Sequence, residues 1–131
     1  MSFPFQLSDS EWRERLTPDQ YAVMRQHGTE RPGSCALLSE KRRGSFTCAG
    51  CGQPLFTAAD KFESGTGWPS FDTPIEGSVG MTSDMSHGMV RVEVHCANCG
   101  SHLGHLFPDG PPPTGMRYCI NGVALTFVAE E

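Results

Sequence analysis

Two Cys-x-x-Cys pairs constrain this chain more than any other feature of its sequence. The first pair is Cys48 and Cys51, the second is Cys96 and Cys99, and a glycine that permits a tight turn follows each pair. Two such pairs brought together offer four thiolates in the tetrahedral arrangement that zinc prefers. Because residues 52–95 separate the pairs, the metal would join distant parts of one domain rather than close a compact finger. We therefore predict one structural Zn²⁺ per chain.

Two alternatives for these cysteines are a redox dithiol and structural disulfides. A thioredoxin-like dithiol is expected within a βαβ pattern, and neither pair lies in one. Structural disulfides are rare in a reducing cytoplasm, and residues 1–16 carry charges where a secretory signal would be apolar. We therefore predict a cytoplasmic protein in which the paired cysteines bind metal. Of the six cysteines, this leaves Cys35 and Cys119.

Size and charge restrict the classes of partner. A chain of 131 residues has the length of one domain, so we predict a single domain over residues 1–131. Ten basic and fifteen acidic residues give a formal charge of −5, which disfavours binding to nucleic acid or to anionic membranes. The longest apolar-rich run, residues 123–129, is too short to span a bilayer. We expect a monomer that binds neither nucleic acid nor membrane.

The hydrophobic pattern predicts a mainly β fold with short N-terminal helices. Ser8 to Glu11 have the spacing of a capping box, and Thr17-Pro18 is typical of a second helix start. We divide the domain into a helical segment, a flexible loop and a β core, at residues 1–28, 29–44 and 45–131. In the core, residues 89–95 alternate apolar and polar side chains, as a half-buried strand does.

Asn121-Gly122 predicts a hairpin turn near the end of the chain. The strands on either side would be residues 116–120 and 123–128. This dipeptide is the strongest short hairpin pattern because both positions tolerate a positive φ.

Cys119 lies in the first of these strands, among residues that favour a reactive thiol. Arg117 and Asn121 are each two positions away and therefore lie on the same face of a strand. The guanidinium favours the thiolate, and the amide can hold a polar oxygen. The ordinary alternative for an unpaired cysteine is a small buried hydrophobe. We predict that Cys119 is a catalytic thiol.

Two histidines and two aromatic residues are candidates for the remainder of a site. His102 and His105, in a region expected to be rich in loops, can exchange protons near neutral pH. Zinc ligation is their alternative role, although four cysteines already fill a tetrahedral site. Trp68 and Phe107 lie near glycines and prolines, where aromatic side chains more often line a pocket than a core.

The residues alone thus predict a cysteine-based enzyme that acts on an electrophilic or oxidised centre. The competing interpretation is a zinc-ribbon module that binds protein or nucleic acid. Such a module needs the cysteine pairs but has no use for the surroundings of Cys119.

The sequence also resembles the methionine-R-sulfoxide reductase B family over nearly the whole chain from about residue 16. The resemblance is carried by the two cysteine pairs and by Gly-Thr-Gly-Trp-Pro-Ser-Phe at 65–71, Ser-His-Gly-Met at 86–89, His-Leu-Gly-His-Leu-Phe-Pro-Asp-Gly at 102–110 and Arg-Tyr-Cys-Ile-Asn at 117–121. It implies two antiparallel β-sheets in a sandwich- or barrel-like core with helices on the N-terminal side. It also implies reduction of the R epimer of methionine sulfoxide, free or in proteins.

The resemblance assigns a role to each polar candidate. Cys119 would attack the sulfoxide sulfur while His105, assisted by His102, protonates the departing oxygen. Asn121 and Arg117 would position and polarise the group. Methionine would leave, and the nucleophile would become a sulfenic acid.

The resemblance also implies how substrate is held and how the enzyme is recycled. Trp68 would hold the methyl group of the substrate, and Phe107 would help close the pocket. Many relatives carry a resolving cysteine where this chain has Thr66, which cannot condense with a sulfenic acid. We predict instead that Cys35 forms a disulfide with Cys119, which thioredoxin then reduces. The alternative is that external thiols act directly on the sulfenic acid.

Overall fold

The computed structural model describes residues 4–26, 28, 42–62, 67–85, 90–112 and 114–129. Cys35, Thr66 and most of the predicted flexible loop lie outside the described residues. The elements, in chain order, are α1 Asp9–Arg15, α2 Pro18–Met24, β1 Gly44–Cys48, β2 Pro54–Thr57, β3 Lys61–Phe62, β4 Ser70–Phe71, β5 Val79–Asp84, β6 Arg91–Cys96, β7 His102–Phe107, β8 Arg117–Ile120 and β9 Leu125–Ala129.

The two helices begin where the sequence predicts. Ser8 caps α1 through a capping box with Glu11, and Thr17 caps α2 through one with Gln20. In each box the hydroxyl accepts a hydrogen bond from a backbone N–H that the helix itself cannot satisfy. Each helix has seven residues. No helix in the described part of the chain has the length and apolar character that crossing a membrane requires.

The strands form two antiparallel sheets, as predicted. One has three strands in the order β2-β1-β9, and the other has six in the order β3-β4-β8-β7-β6-β5. An aromatic cluster lies between them. Phe71 of β4 stacks on Phe56 of β2 with ring centroids 4.3 Å apart, and it meets Phe46 of β1 edge-on at 5.1 Å. All three rings are fully buried, so the two sheets share one core.

The predicted hairpin at Asn121-Gly122 is wrong. β8 belongs to the six-stranded sheet and β9 to the three-stranded sheet, so the chain crosses between sheets at this point. Asn121 has a φ of −70° and precedes a 3₁₀ turn at Gly122–Ala124. A tight hairpin of the predicted kind would require a positive φ at this position. The backbone N–H and the side-chain amide of Asn121 instead both donate to the carbonyl of Leu103 in β7.

Candidate active site and metal centre

The four paired cysteines converge on one point, which confirms the prediction of a metal site. Their sulfur atoms all lie within 4.8 Å of one another. The Sγ atoms of Cys48 and Cys99 are 3.7 Å apart, and those of Cys51 and Cys96 are 3.6 Å apart. A tetrahedral site with Zn–S bonds of about 2.3 Å has S–S edges of about 3.8 Å, which is close to these two separations, so the cluster is compatible with zinc. The cluster contains neither histidine, so the alternative of histidine ligation gains no support.

The turns after each cysteine pair use glycine as the sequence predicts. Gly52 and Gly100 have φ values of 84° and 76°, which other residues adopt only with strain. Each N–H donates to the carbonyl of the first cysteine in its pair, at 2.8 and 2.9 Å. The turns hold the two cysteines of each pair on one side of the loop.

The contacts among the sulfurs shift the pKa values of the cysteines in opposite directions. Hydrogen bonding with Cys48 and Cys96, and to a lesser degree with Ser101, lowers the pKa of Cys99, whereas hydrogen bonding with its sulfur neighbours and burial raise the pKa of Cys48. Four thiols this close cannot all ionise without a cation among them. A divalent ion would supply that charge and hold all four as thiolates.

The N-terminal helices pack directly on the metal-binding turns. Arg25 donates to the carbonyl of Cys99 at 3.2 Å, and the N–H of Phe5 donates to the carbonyl of Asn98 at 2.8 Å. Trp12 is buried against Gly50, where an added Cβ would lie only 3.0 Å from the indole ring. The helices thus contact both cysteine pairs, which sequence reasoning did not foresee.

A cavity of about 170 Å³ surrounds Cys119. Its lining residues are Trp68, Arg91, Gly104, His105, Phe107, Arg117, Cys119 and Asn121. Six of the eight are residues that the sequence singles out; Arg91 and Gly104 are additions. His102 is buried next to the cavity rather than lining it.

The sheet register explains why these side chains meet. Cys119 in β8 lies directly opposite His105 in β7, and Arg117 lies opposite Phe107. Directly opposed residues point to the same face of a sheet, with Cβ atoms about 5 Å apart. On its other side Cys119 lies opposite Ser70, in the strand that follows Trp68. The thiol is therefore held between an imidazole and the tryptophan segment.

The side chain of Arg117 lies between Cys119 and the loop that precedes β8. Its Nε and Nη2 donate to the two carboxylate oxygens of Asp109 at 2.8 and 3.2 Å. These bonds foremost, and to a lesser degree the negative charge of Cys119, raise the pKa of Arg117. Its guanidinium carbon lies 4.5 Å from the centre of the Phe107 ring. The cation is thus fixed between a carboxylate and an aromatic face, beside the sulfur.

The expected loop around His102, His105 and Phe107 is wrong, because all three lie in β7. The sequence does not predict this strand because buried and exposed residues do not alternate along it: its first three residues are all buried. Gly104 in its centre is a further departure from strand composition. An added Cβ there would lie 1.9 Å from the carbonyl oxygen of Cys119, so only glycine allows β7 and β8 to pair this closely.

An irregularity in β7 brings the two histidines together. Val94 is opposite Gly104 and His95 is opposite His102, so Leu103 is an extra residue in this strand. Positions three apart on a regular strand would point to opposite faces. The bulge turns His102 back to the face of His105, and the two rings meet edge to face with centroids 5.4 Å apart.

Glu93 completes this group and was missed from the sequence. Its Oε2 lies 2.7 Å from Nδ1 of His102. The only available signal was its place among the polar residues of an alternating strand, which normally face solvent.

Comparisons with known proteins agree on one family. The SelR domain model matches residues 16–129. A protein of Agrobacterium fabrum is 54% identical over 121 residues, which cover 92% of this chain and 90% of that protein. A protein of Methanosarcina barkeri is 58% identical over 95% of this chain and 88% of its own length. One of Leptospira interrogans is 49% identical over 99% of this chain and 100% of its own. All three are named peptide methionine sulfoxide reductase MsrB.

Proposed function

The chain belongs to the SelR domain family, and on that premise we propose that it is a thioredoxin-dependent methionine sulfoxide reductase specific for the R epimer. The substrate is methionine-R-sulfoxide, free or within oxidised proteins. We further propose that the enzyme works as a cytoplasmic monomer with Cys119 as its nucleophile.

One observation carries the proposal: Cys119 lines a cavity together with a guanidinium, an imidazole and two aromatic rings. Methionine sulfoxide combines a polar S–O group with an apolar methyl group. Arg117 and His105 supply polar groups to the lining, whereas Trp68 and Phe107 supply aromatic surface. A zinc-ribbon module would have no need of this arrangement.

The reaction starts with attack of the Cys119 thiolate on the sulfoxide sulfur. Arg117 beside the sulfur favours the thiolate, the active nucleophile. The S–O bond of the substrate breaks while His105 delivers a proton to its oxygen, with His102 behind it as a second imidazole. The oxygen leaves as water, and a water molecule then attacks the Cys119 sulfur and breaks the S–S bond that the first attack formed. Methionine departs with two electrons from the cysteine, and Cys119 is left as a sulfenic acid.

Substrate recognition follows from the two aromatic residues. Trp68 contacts the methyl group, and Phe107 covers the cavity next to Arg117. An apolar wall of fixed size favours one arrangement of methyl and oxygen around the chiral sulfur, which would give selectivity for one epimer.

The metal is a single structural Zn²⁺ held by Cys48, Cys51, Cys96 and Cys99. An all-cysteine site leaves no open coordination position, which is typical of a structural rather than a catalytic ion. When bound, the ion supplies folding energy and takes no part in the redox step.

The function is tested by reduction of methionine-R-sulfoxide with dithiothreitol as the only reductant. We expect the wild-type protein to form methionine from the R epimer and not from the S epimer. Cys119→Ser should abolish the reaction while zinc content and thermal stability stay unchanged. Thr126→Ser, an exposed substitution in β9, serves as the control and should keep full activity. Activity that survives in Cys119→Ser would refute the assignment of the nucleophile.

Recycling requires a second thiol, and we propose Cys35. A disulfide with Cys119 needs Cβ atoms about 4 Å apart. One equivalent of substrate should therefore produce a Cys35–Cys119 cross-linked peptide detectable by mass spectrometry. In Cys35→Ser, thioredoxin-linked turnover should fall at least about tenfold, with the first turnover unaffected because Cys119 alone forms the sulfenic acid. Unchanged thioredoxin-linked turnover in this variant would instead support direct attack of external thiols on the sulfenic acid.

A further inference from the structure

A largely buried carboxylate in β6, that of Glu93, has no role in the mechanism so far. Only 12% of the Glu93 side chain is exposed, and that of His102 is 2% exposed. Their contact, Oε2 to Nδ1 at 2.7 Å, has the length of a charge-assisted hydrogen bond. The second carboxylate oxygen of Glu93 is 3.8 Å from Nδ1 of His95, which is too long for a direct hydrogen bond. The short contact of the carboxylate with His102 is therefore a direct hydrogen bond, whereas its approach to His95 is not.

The sheet register places Glu93 in line with the reacting sulfur. Glu93 in β6 is directly opposite His105 in β7, and His105 is directly opposite Cys119 in β8. The three side chains thus form one row across the sheet, on one face. His102 joins this row through the β7 bulge and contacts the ring of His105 edge to face.

We propose that Glu93 is a positioning residue that acts through His102 to orient His105 for proton delivery to the substrate oxygen. The inference rests on the proposed function. An ionised carboxylate only accepts hydrogen bonds, so with Glu93 ionised the proton of this bond lies on Nδ1 of His102. That bond fixes both the tautomer and the ring plane, as carboxylate partners do for histidines in metal and catalytic sites. With His102 fixed, the edge that it presents to His105 is fixed too.

A stabilising role alone is the competing explanation. A buried charged pair is weak evidence for stability because desolvation of both groups offsets much of their attraction. The two explanations differ in what they predict. A stabilising role affects the melting temperature only, whereas a positioning role changes the tautomer of His102 and the rate of the chemical step.

The experiment compares wild type, Glu93→Ala and Glu93→Gln, each loaded with zinc and labelled with ¹⁵N at histidine. The imidazole resonance of His102, assigned by its absence in His102→Gln, reports the tautomer by NMR. We expect the proton on Nδ1 in wild type and a substantial Nε2–H population in Glu93→Ala. In Glu93→Gln the amide oxygen can still accept the same hydrogen bond, so the wild-type tautomer should largely persist. Glu76→Ala, at an exposed glutamate in the turn before β5, is the control.

Kinetics supply the second readout. In Glu93→Ala the single-turnover rate of methionine formation should fall at least about tenfold, within the usual contribution of general acid catalysis. The KM should change less than about twofold, because Glu93 does not line the cavity. Glu93→Gln should recover much of the rate, and it covers the case in which Glu93→Ala fails to fold.

The outcomes separate this inference from the proposed function. Wild-type turnover together with an unchanged tautomer or an unchanged rate in both Glu93 variants overturns the positioning role. A lower melting temperature as the sole effect leads to the same conclusion. If wild type itself forms no methionine, the proposed function fails, and the NMR readout still decides whether Glu93 fixes His102.

Discussion

Gly104 is the residue at which the site tolerates the least change. It pairs with Ile120 of β8, directly before His105, which pairs with Cys119, and its backbone approaches the carbonyl of Cys119. A methyl group there would meet backbone atoms that cannot rotate away. The constraint therefore acts on the distance between β7 and β8, and through it on the position of Cys119 relative to His105.

We expect Gly104→Ala to impair both stability and catalysis. Separation of the strands should cost about 1–3 kcal/mol, as overpacking does. Displacement of Cys119 by about 1 Å can reduce the rate about 100-fold. Chemical denaturation and steady-state kinetics measure the two effects. Gly77→Ala is the matched control, since Gly77 has a φ of 77° but open space around it: it should lose about 1 kcal/mol to backbone strain and keep its activity. Normal activity in Gly104→Ala would mean that the strands can separate without moving the thiol.

The sequence predicts which residues belong to the site better than it predicts which side chains they contact. The two-residue spacing of Arg117, Cys119 and Asn121 specifies a shared face wherever the segment is a strand, and all three do line one cavity. The hydrogen-bond partner of Arg117, in contrast, could not be predicted from spacing. Asp109 reaches it only because the proline-rich loop folds back, with the N–H of Gly110 donating to the carbonyl of Gly115 at 3.0 Å. No periodic pattern encodes that path.

At the level of elements, β7 shows why a strand can be mistaken for a loop when it is predicted from its sequence pattern. A strand is recognised by alternation, and a bulge interrupts alternation by one position. The Leu103 bulge puts His102 on the same face as His105 and offers its carbonyl to Asn121. The irregularity that hid the strand thus serves the site. β6, in contrast, forms where alternation predicts a strand, but its exposure follows the pattern only in part: Val94 is buried, whereas Val92 is exposed and Glu93 is largely buried.

The N-terminal helices are predicted from their caps, but their packing partner is not visible in the sequence. Arg25 donates to the Cys99 carbonyl and also to the Ser101 hydroxyl, both at 3.2 Å, and its guanidinium carbon lies 4.4 Å from the centre of the Trp12 ring. α1 and α2 therefore cover the metal-binding turns. Loss of this packing should therefore weaken the retention of the metal.

We expect Trp12→Ala to weaken both the fold and zinc retention. Truncation of a fully buried tryptophan typically costs about 3–5 kcal/mol, and here the lost contact is with the first cysteine turn through Gly50. Thermal denaturation measures the stability, and transfer of zinc to a chromogenic chelator measures retention. Glu14→Ala, at an exposed position of the same helix, should behave as wild type in both. Equal zinc release from Trp12→Ala and Glu14→Ala would show that the helices do not protect the metal.

On the scale of the whole molecule, the cysteine cluster joins the two sheets. Cys48 is the last residue of β1 in the three-stranded sheet, and Cys96 is the last residue of β6 in the six-stranded sheet. The aromatic core holds the sheets together in their middle, whereas the sulfur cluster holds them at one end. The sequence predicts that the metal links distant segments, but which sheets those segments join depends on the strand order, which sequence spacing does not specify.

Removal of the metal should therefore unfold the molecule and abolish activity only as a consequence. A structural zinc ion contributes on the order of 10 kcal/mol in isolated peptides, which is comparable to the whole stability of an ordinary domain, about 5–15 kcal/mol. We expect a strong chelator, or Cys96→Ser, to lower the melting temperature sharply, and elemental analysis of the untreated protein to give one zinc per chain. Cys119→Ser is the matched cysteine substitution: it should retain the zinc and the wild-type melting temperature while it loses activity. A metal-free protein with an unchanged melting temperature would contradict the structural role of the ion, and the two sheets would then depend on the aromatic core alone.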